Sequence, residues 1–136
     1  MMNYPIRPWQ HVLEPLSGYL LLVEPLFTQG QSYAESWNFW PRDEDAQPVQ
    51  WLVEQLCGAW GGQSSWSLQP GEHPHVACFL KLGISKARQR LPWAPRWSVA
   101  TALSHIMAWH QSWLTGEDMR AVCFNQIAHY QVNVSL

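Results

Sequence analysis

The sequence predicts an α/β domain that is mostly helical and contains only a few short strands. Apolar residues recur at helical spacing in several long segments, and the stretches suited to strands are short and lie between them. The length of 136 residues also suits one domain, because it allows a substantial core. We expect residues 1–5 to form an N-terminal stub, residues 6–131 the domain, and residues 132–136 a frayed tail.

The first predicted helix is followed by a predicted buried strand. The helically spaced apolar residues are Val12, Leu13, Leu16, Leu20, Val23 and Phe27. Pro15 is tolerated in the first turn, Pro25 is expected to kink the helix or end it early, and Gly30 is a suitable terminator. The aromatic stretch 36–39, just before Pro41, is interpreted as a short buried strand.

The second predicted helix begins close to an acidic run. Residues 43–45 and Pro48 are typical of a helix start, since acidic groups complement the helix dipole and proline suits the first turn. The apolar face consists of Val49, Leu52, Val53, Leu56, Cys57 and Trp60. Gly61 and Gly62 then indicate a loop, and residues 66–68 a short strand.

Three further helices are predicted in the second half of the chain. Ser85 is a suitable N-cap for a short helix that stops at Pro92. Ser98 caps the strongest helical pattern, which ends at Gly116. Its apolar face consists of Val99, Ala102, Leu103, Ile106, Met107 and Trp113. The last helix begins near Asp118, and its apolar residues are Val122, Cys123, Ile127 and Tyr130.

The composition excludes several kinds of partner. The formal charge is −2, only 13% of the residues are charged and no basic run occurs, so we expect no nucleic-acid partner. The longest strongly apolar run, residues 19–23, is far too short to span a bilayer, and the N-terminus does not look like a signal peptide. The three widely spaced cysteines are interpreted as buried thiols. These observations predict a cytoplasmic protein without a membrane partner.

Five short motifs occur in a specific order along the chain. They are Ile6-Arg-Pro-Trp-Gln-His-Val-Leu-Glu-Pro15, Trp37-Asn-Phe-Trp-Pro41, Gly71-Glu-His-Pro-His75, Ser85-Lys-Ala-Arg88 and Leu91-Pro-Trp-Ala-Pro-Arg-Trp97. In this order they resemble the C-terminal part of the CDP-glucose 4,6-dehydratase family, within the extended short-chain dehydrogenase superfamily. The resemblance implies the substrate-binding lobe of these enzymes without their Rossmann domain.

The chemistry of the family needs residues that this sequence does not contain. Family members use NAD to oxidise, dehydrate and re-reduce CDP-glucose to CDP-4-keto-6-deoxyglucose. A dinucleotide site needs a glycine-rich loop between a strand and a helix, but the glycine cluster 58–62 follows a helix and is interpreted as its C-terminal turn. No tyrosine is followed four residues later by lysine. We therefore expect no catalytic residue and no bound NAD in this chain, which alone is not catalytically competent.

Four residues are candidates for binding a nucleotide sugar. Arg7 has the guanidinium geometry that grips a diphosphate, and the resemblance implies this role; the alternative is an ordinary surface arginine. Glu72 can accept hydrogen bonds from ribose hydroxyls, and His73 or His75 can donate to phosphate or sugar. A zinc site that would add Cys78 is disfavoured, because no second ligand pair follows, and no metal is predicted.

Two positions depart from the family pattern, and one aromatic face has two interpretations. Trp40 stands where the family usually has glycine, and Gly83 where it usually has aspartate before Ser-Lys. Both departures argue against an intact substrate pocket. The residues His105, Trp109 and Trp113 share one helix face. Packing against a neighbouring helix is favoured there over a sugar-stacking platform.

Two hypotheses of function follow. The first is a binding module for a CDP-sugar or a related nucleotide, which is either vestigial or serves a partner that supplies the Rossmann half. The second is an interaction protein that forms a homo-oligomer, most simply a twofold dimer, with no ligand. Ten tryptophans favour exposed aromatic rings at such a contact. We expect the contact near Trp109, Trp113 and Ile127, or along the helix of Leu16 and Leu20.

Overall fold

A computed structural model describes residues 6–68, residue 71 and residues 81–132. Five helices occur in this part of the chain: α1 (Leu13–Gln29), α2 (Val49–Trp60), α3 (Ser85–Arg90), α4 (Val99–Leu114) and α5 (Met119–Val132). Two strands, β1 (Ile6–Pro8) and β2 (Ala46–Pro48), form a small antiparallel ribbon in which Arg7 pairs with Gln47. The prediction of a mostly helical domain with short strands is therefore confirmed.

Some helix ends agree with the local signals in the sequence, and others differ from them. The Ser98 side chain accepts a hydrogen bond from the Thr101 backbone, so it caps α4 as predicted. Gly61 closes α2 with a φ of +75°, a conformation that favours glycine. Ser85 is the first residue of α3 rather than its N-cap. Val132 is the last residue of α5, whereas the sequence placed it in the tail.

The two predicted strands at 36–39 and 66–68 are wrong, because both segments are irregular in the structure. The aromatic stretch is held by tertiary packing instead. The Phe39 ring lies so close to Gly18 of α1 that a Cβ at Gly18 would overlap it. Phe39 also meets Trp93 edge to face, with the ring centres 5.1 Å apart. An aromatic run thus forms part of a core without forming a strand.

Pro25 does not end α1, which continues to Gln29. Proline lacks one backbone donor, but the helix extends for several turns before it and is closed after it, where the Gly30 N–H donates to the Leu26 oxygen. The acidic run 43–45 forms a separate short 3₁₀ turn and does not begin α2. Asp45 instead accepts a 2.8 Å hydrogen bond from the Val99 backbone, so it caps α4, an element distant in sequence.

The core lies between α3, the segment that follows it and α1. Ala87, Leu91 and Trp93 form its centre, and the half-buried side chains packed against them are Leu21, Leu22, Tyr33, Trp37, Phe39 and Ile84. Trp97 is also buried, whereas Trp60, Trp66 and Trp113 are each more than one-third exposed. Some tryptophan rings are thus exposed, and whether they face a partner or a ligand stays a prediction. None of the helices in the described part of the chain is long and apolar enough to cross a membrane.

The face that α1 buries differs from the one that its apolar spacing indicates. Glu14 and Gly18 are its buried residues. The exposed residues form what we call the α1 apolar stripe, which consists of Val12, Leu16, Tyr19, Leu20, Val23 and Phe27. Leu20 is 74% exposed and Phe27 is 91% exposed. Apolar periodicity indicates that a helix has an apolar side, but it does not say whether another element covers that side.

Candidate functional site

Arg7 lies in the ribbon at the start of the described chain. It is the middle residue of β1 and is half-buried. Its Nη1 donates to the Ile6 backbone oxygen at 3.3 Å. Only residues 9–12 separate this strand from α1. The structure thus gives Arg7 the location that the resemblance implies, a short strand directly before the first helix.

The other three predicted binding residues, Glu72, His73 and His75, lie outside the described residues, and so does Cys78, so their roles stay predictions. Gly71, which begins their motif, has a φ of +145°, a conformation that residues other than glycine rarely adopt. Among the described residues, no group of three or more His, Cys, Asp or Glu side chains could hold a metal ion.

A fully buried carboxylate, that of Glu14, connects α1 with two distant parts of the chain. The Arg96 N–H lies 3.1 and 3.0 Å from its two oxygens, and the Trp97 N–H donates to it at 2.7 Å. The Tyr130 hydroxyl donates to the second oxygen at 2.8 Å. Arg96 in turn donates to the Tyr130 backbone oxygen at 3.1 Å. Glu14 thereby holds the segment before α4 and the end of α5 against the start of α1.

The sequence did not identify Glu14 as buried. An acidic residue in the first turn of a helix is usually explained by the helix dipole, which requires no burial. The motif 6–15 contains both Glu14 and His11 and was the available signal. It does not show that donors more than eighty residues away would surround the carboxylate. Burial also raises the pKa of the Tyr130 phenol, and its hydrogen bond to Glu14 adds to this, so the phenol stays protonated and donates.

Next to this carboxylate lies an aromatic cluster centred on Trp97. His105 stacks on the Trp97 ring, with ring centres 4.0 Å apart, and His11 meets it edge to face at 5.0 Å. His129 lies 5.1 Å from His105. The Leu13 N–H donates to Nδ1 of the buried His11 at 3.2 Å, which requires the neutral ring with its proton on Nε2. This hydrogen bond therefore favours the uncharged His11 ring.

Burial and neighbouring histidines lower the pKa values of His11 and His105. Burial, and secondly the nearby His105, lower the pKa of His11. Burial, and secondly His129, lower the pKa of His105. An unfolded chain would protonate both imidazoles near the ordinary histidine pKa of about 6.5, before the folded chain does. The folded state thus binds fewer protons just below that pH.

We expect the free energy of unfolding to fall as the pH is lowered from about 7.5 to 5.5, because the unfolded state takes up the additional protons. Urea unfolding at a series of pH values measures this slope. In a His11→Asn variant the amide oxygen can still accept from Leu13 but does not titrate, so the slope should become shallower. An unchanged unfolding free energy across this range in the natural chain would contradict the role of the buried imidazoles.

An apolar cavity opens where the start of α1 meets α4 and α5. Its volume is about 290 Å³, and its lining consists of His11, Val12, Leu13, Ile106, Trp109, Cys123, Gln126 and Ile127. Trp109 Nε1 lies 3.3 Å from the Cys123 sulfur at its wall. Cys123 is exposed, so the interpretation of the cysteines as buried thiols is wrong here.

The predicted aromatic face of α4 is divided among three environments. His105 packs on Trp97 and Trp109 lines the cavity, whereas Trp113 is 54% exposed and lies beside His110 with ring centres 5.3 Å apart. Packing therefore explains the positions of His105 and Trp109, in agreement with the interpretation that the sequence favoured. Of the two departures from the family pattern, Trp40 is half-buried. A Cβ added at Gly83 would meet no atom of the described residues within 4 Å.

Comparison with known proteins supports the resemblance carried by the motifs. No family model matches the chain. A CDP-glucose 4,6-dehydratase from Salmonella typhimurium is 48% identical over 127 residues, which cover 93% of this chain and 35% of the dehydratase. The chain is similar to the C-terminal part of CDP-glucose 4,6-dehydratase. The identity extends over nearly the whole chain, although the chain spans only about a third of the length of this dehydratase.

Proposed function

We propose that the chain is a binding domain for a CDP-sugar or a related nucleotide, built like the C-terminal part of CDP-glucose 4,6-dehydratase. The 48% identity over 127 residues is the observation that carries the proposal. Arg7 would contact the diphosphate, Glu72 the ribose hydroxyls, and His73 or His75 the phosphate or sugar. The dehydration of CDP-glucose would require the remaining two-thirds of such an enzyme, together with its NAD.

The position of Arg7 supports this proposal. A guanidinium gains most from a diphosphate when its backbone is held by regular hydrogen bonding, because less conformational freedom is then lost on binding. Pairing with β2 holds the Arg7 backbone in this way, and the Trp9 indole N–H adds a 3.0 Å hydrogen bond to the Gln47 oxygen of the same ribbon. The ribbon thus holds the Arg7 backbone on a fixed support.

We expect CDP to bind weakly, with a dissociation constant on the order of millimolar, because part of a site makes fewer contacts than the whole. A chemical-shift titration of the labelled chain should show changes at Arg7 and within residues 71–75. Arg7→Ala should abolish those changes at millimolar CDP, whereas Arg120→Ala, on the exposed side of α5, should leave them unaltered. Incubation with CDP-glucose and NAD should give no product.

The outcome of this titration separates the proposal from its alternative. If the natural chain shows no shift at millimolar CDP, or if Arg7→Ala binds as well as the natural chain, the binding function is excluded. Product formed by the chain alone would contradict the need for the remaining two-thirds of such an enzyme.

A second candidate function is an interaction protein that assembles with itself. The exposed α1 apolar stripe supports it, because soluble monomers rarely expose large contiguous apolar patches. The low charge of these helices also favours self-association. Helix α4 contains no Asp, Glu, Lys or Arg, and the exposed side of α1 carries only Glu24. This candidate predicts a homo-oligomer, and sedimentation or light scattering of the chain in solution measures its mass.

A further inference from the structure

The α1 apolar stripe and the apolar cavity lie on one continuous surface. Val12 belongs to both, since it begins the stripe and also lines the cavity. Along α1 the stripe extends from this end to Phe27, the most exposed large hydrophobic residue in the described part of the chain. One end of the helix therefore has a cavity, and the other end has a projecting aromatic ring.

The area of the stripe suits a contact between two protein copies. Its six side chains expose on the order of 600 Å² together, if a large side chain contributes about 150 Å² when free. Two such faces would bury about 1,200 Å², which is the lower limit for stable protein–protein interfaces. Left open, a patch of this size is at the upper end of what monomers show.

Symmetry relates the two ends of α1. Leu20 lies midway between Leu13 and Phe27, seven residues from each, and seven residues of helix rise about 10 Å. When two copies of α1 pack antiparallel around a twofold axis at Leu20, Phe27 of each copy comes opposite Leu13 of the other. Helices that cross at about 20° stay in contact over such a length. Phe27 of each copy would then face the cavity of the other.

We propose that two copies of this chain form a twofold dimer through antiparallel α1 helices, with Phe27 of each copy inserted into the cavity of the other. This inference rests on the second candidate function and adds its contact geometry. A cavity of about 150 Å³ holds a benzene ring, so the observed volume of about 290 Å³ accommodates the phenyl group. Its walls, Leu13, Ile106 and Ile127, are apolar like the ring.

Charge agrees with the antiparallel arrangement. Glu24 is the only charged residue on the exposed side of α1. The antiparallel register brings Glu24 of one copy opposite Leu16 of the other, so the two carboxylates are kept apart. A parallel pairing would place the two Glu24 side chains beside each other and leave both cavities unfilled.

Sedimentation equilibrium tests the contact face. We expect a species of twice 15.7 kDa at micromolar concentration. Leu20→Glu should give a folded monomer, because Leu20 is mostly exposed and the new charges meet on the axis. Leu68→Glu, the same change at another exposed leucine, should leave the dimer intact. Phe27→Ala should raise the dimer dissociation constant roughly tenfold or more.

Cross-linking tests the register. In a background of Cys57→Ser and Cys78→Ser, the Phe27→Cys variant treated with a short bismaleimide should give a covalent dimer through Cys123 of the other copy. Adding Cys123→Ser should abolish it. A link that persists without Cys123 joins the two introduced thiols and overturns the antiparallel register.

The possible outcomes separate the geometry from the function. A chain that stays monomeric at about 100 μM overturns both this proposal and the second candidate function. A dimer that Leu20→Glu leaves intact overturns the α1 contact, although self-assembly stands. CDP binding is measured in a separate titration, so neither result changes the test of the proposed binding function.

Discussion

Glu14→Ala is expected to destabilise the fold by about 3–5 kcal/mol, a large part of the 5–15 kcal/mol by which domains are usually stable. The carboxylate is fully buried and accepts from two backbone N–H groups and the Tyr130 hydroxyl. Each hydrogen bond to a charged group contributes about 1.5–3 kcal/mol to stability. The substitution also leaves buried donors without a partner, and each of them adds its own desolvation penalty. Urea unfolding followed by far-UV circular dichroism measures the loss.

Two matched variants separate the network from a general effect on α1. Glu14→Gln retains the volume and one acceptor oxygen, so we expect about half the loss. Glu24→Ala removes an exposed carboxylate from the same helix and should change stability by no more than about 0.5 kcal/mol. Equal effects for Glu14→Ala and Glu24→Ala would contradict the structural role of the buried carboxylate.

Trp93→Ala is expected to cost about 3–5 kcal/mol, because removal of a buried tryptophan leaves a large cavity. Only 2% of Trp93 is exposed, and its ring packs against Phe39 in the core formed with Ala87 and Leu91. The indole N–H also lies 3.1 Å from the Glu14 backbone oxygen and 3.0 Å from the Ser17 hydroxyl, so the ring connects α1 with the segment after α3. Thermal and urea denaturation both measure this effect.

The same substitution at an exposed tryptophan is the control. Trp113 is 54% exposed, so Trp113→Ala should cost about 1 kcal/mol or less. Trp93→Phe retains most of the ring and loses the two hydrogen bonds, and we expect about 1–2 kcal/mol. A Trp93→Ala protein as stable as Trp113→Ala would show that the core is centred elsewhere.

Local chemistry predicted the helices well. The spacing of apolar residues and the caps at Ser98 and Gly61 depend only on nearby residues, and the structure has them as expected. The strand predictions at 36–39 and 66–68 failed, because aromatic residues suit both a strand and an irregular segment held by packing. Phe39 lies in an irregular segment held by packing, because Gly18 has no side chain and allows the Phe39 ring to approach α1 closely.

The candidate site was predicted in part. The order of the motifs indicated the family resemblance and the strand position of Arg7, which need only the linear sequence. The buried roles of Glu14 and Asp45 could not be predicted in this way. The Trp97 donor lies 83 residues from Glu14, and the Val99 donor lies 54 residues from Asp45. No local rule relates positions so far apart in the sequence.

By itself, the sequence determined the presence of the helices, the caps at Ser98 and Gly61, and the similarity to a nucleotide-sugar dehydratase. Periodicity, caps and ordered motifs are properties of neighbouring residues. Only the tertiary structure decided which side of α1 is covered. Burying the Glu14 carboxylate among donors from distant segments turns this side of the helix inward and leaves Leu20 and Phe27 exposed. The physical reason is that burial depends on which partners the fold brings together, and a buried charge with several hydrogen bonds can decide the orientation of an otherwise apolar helix.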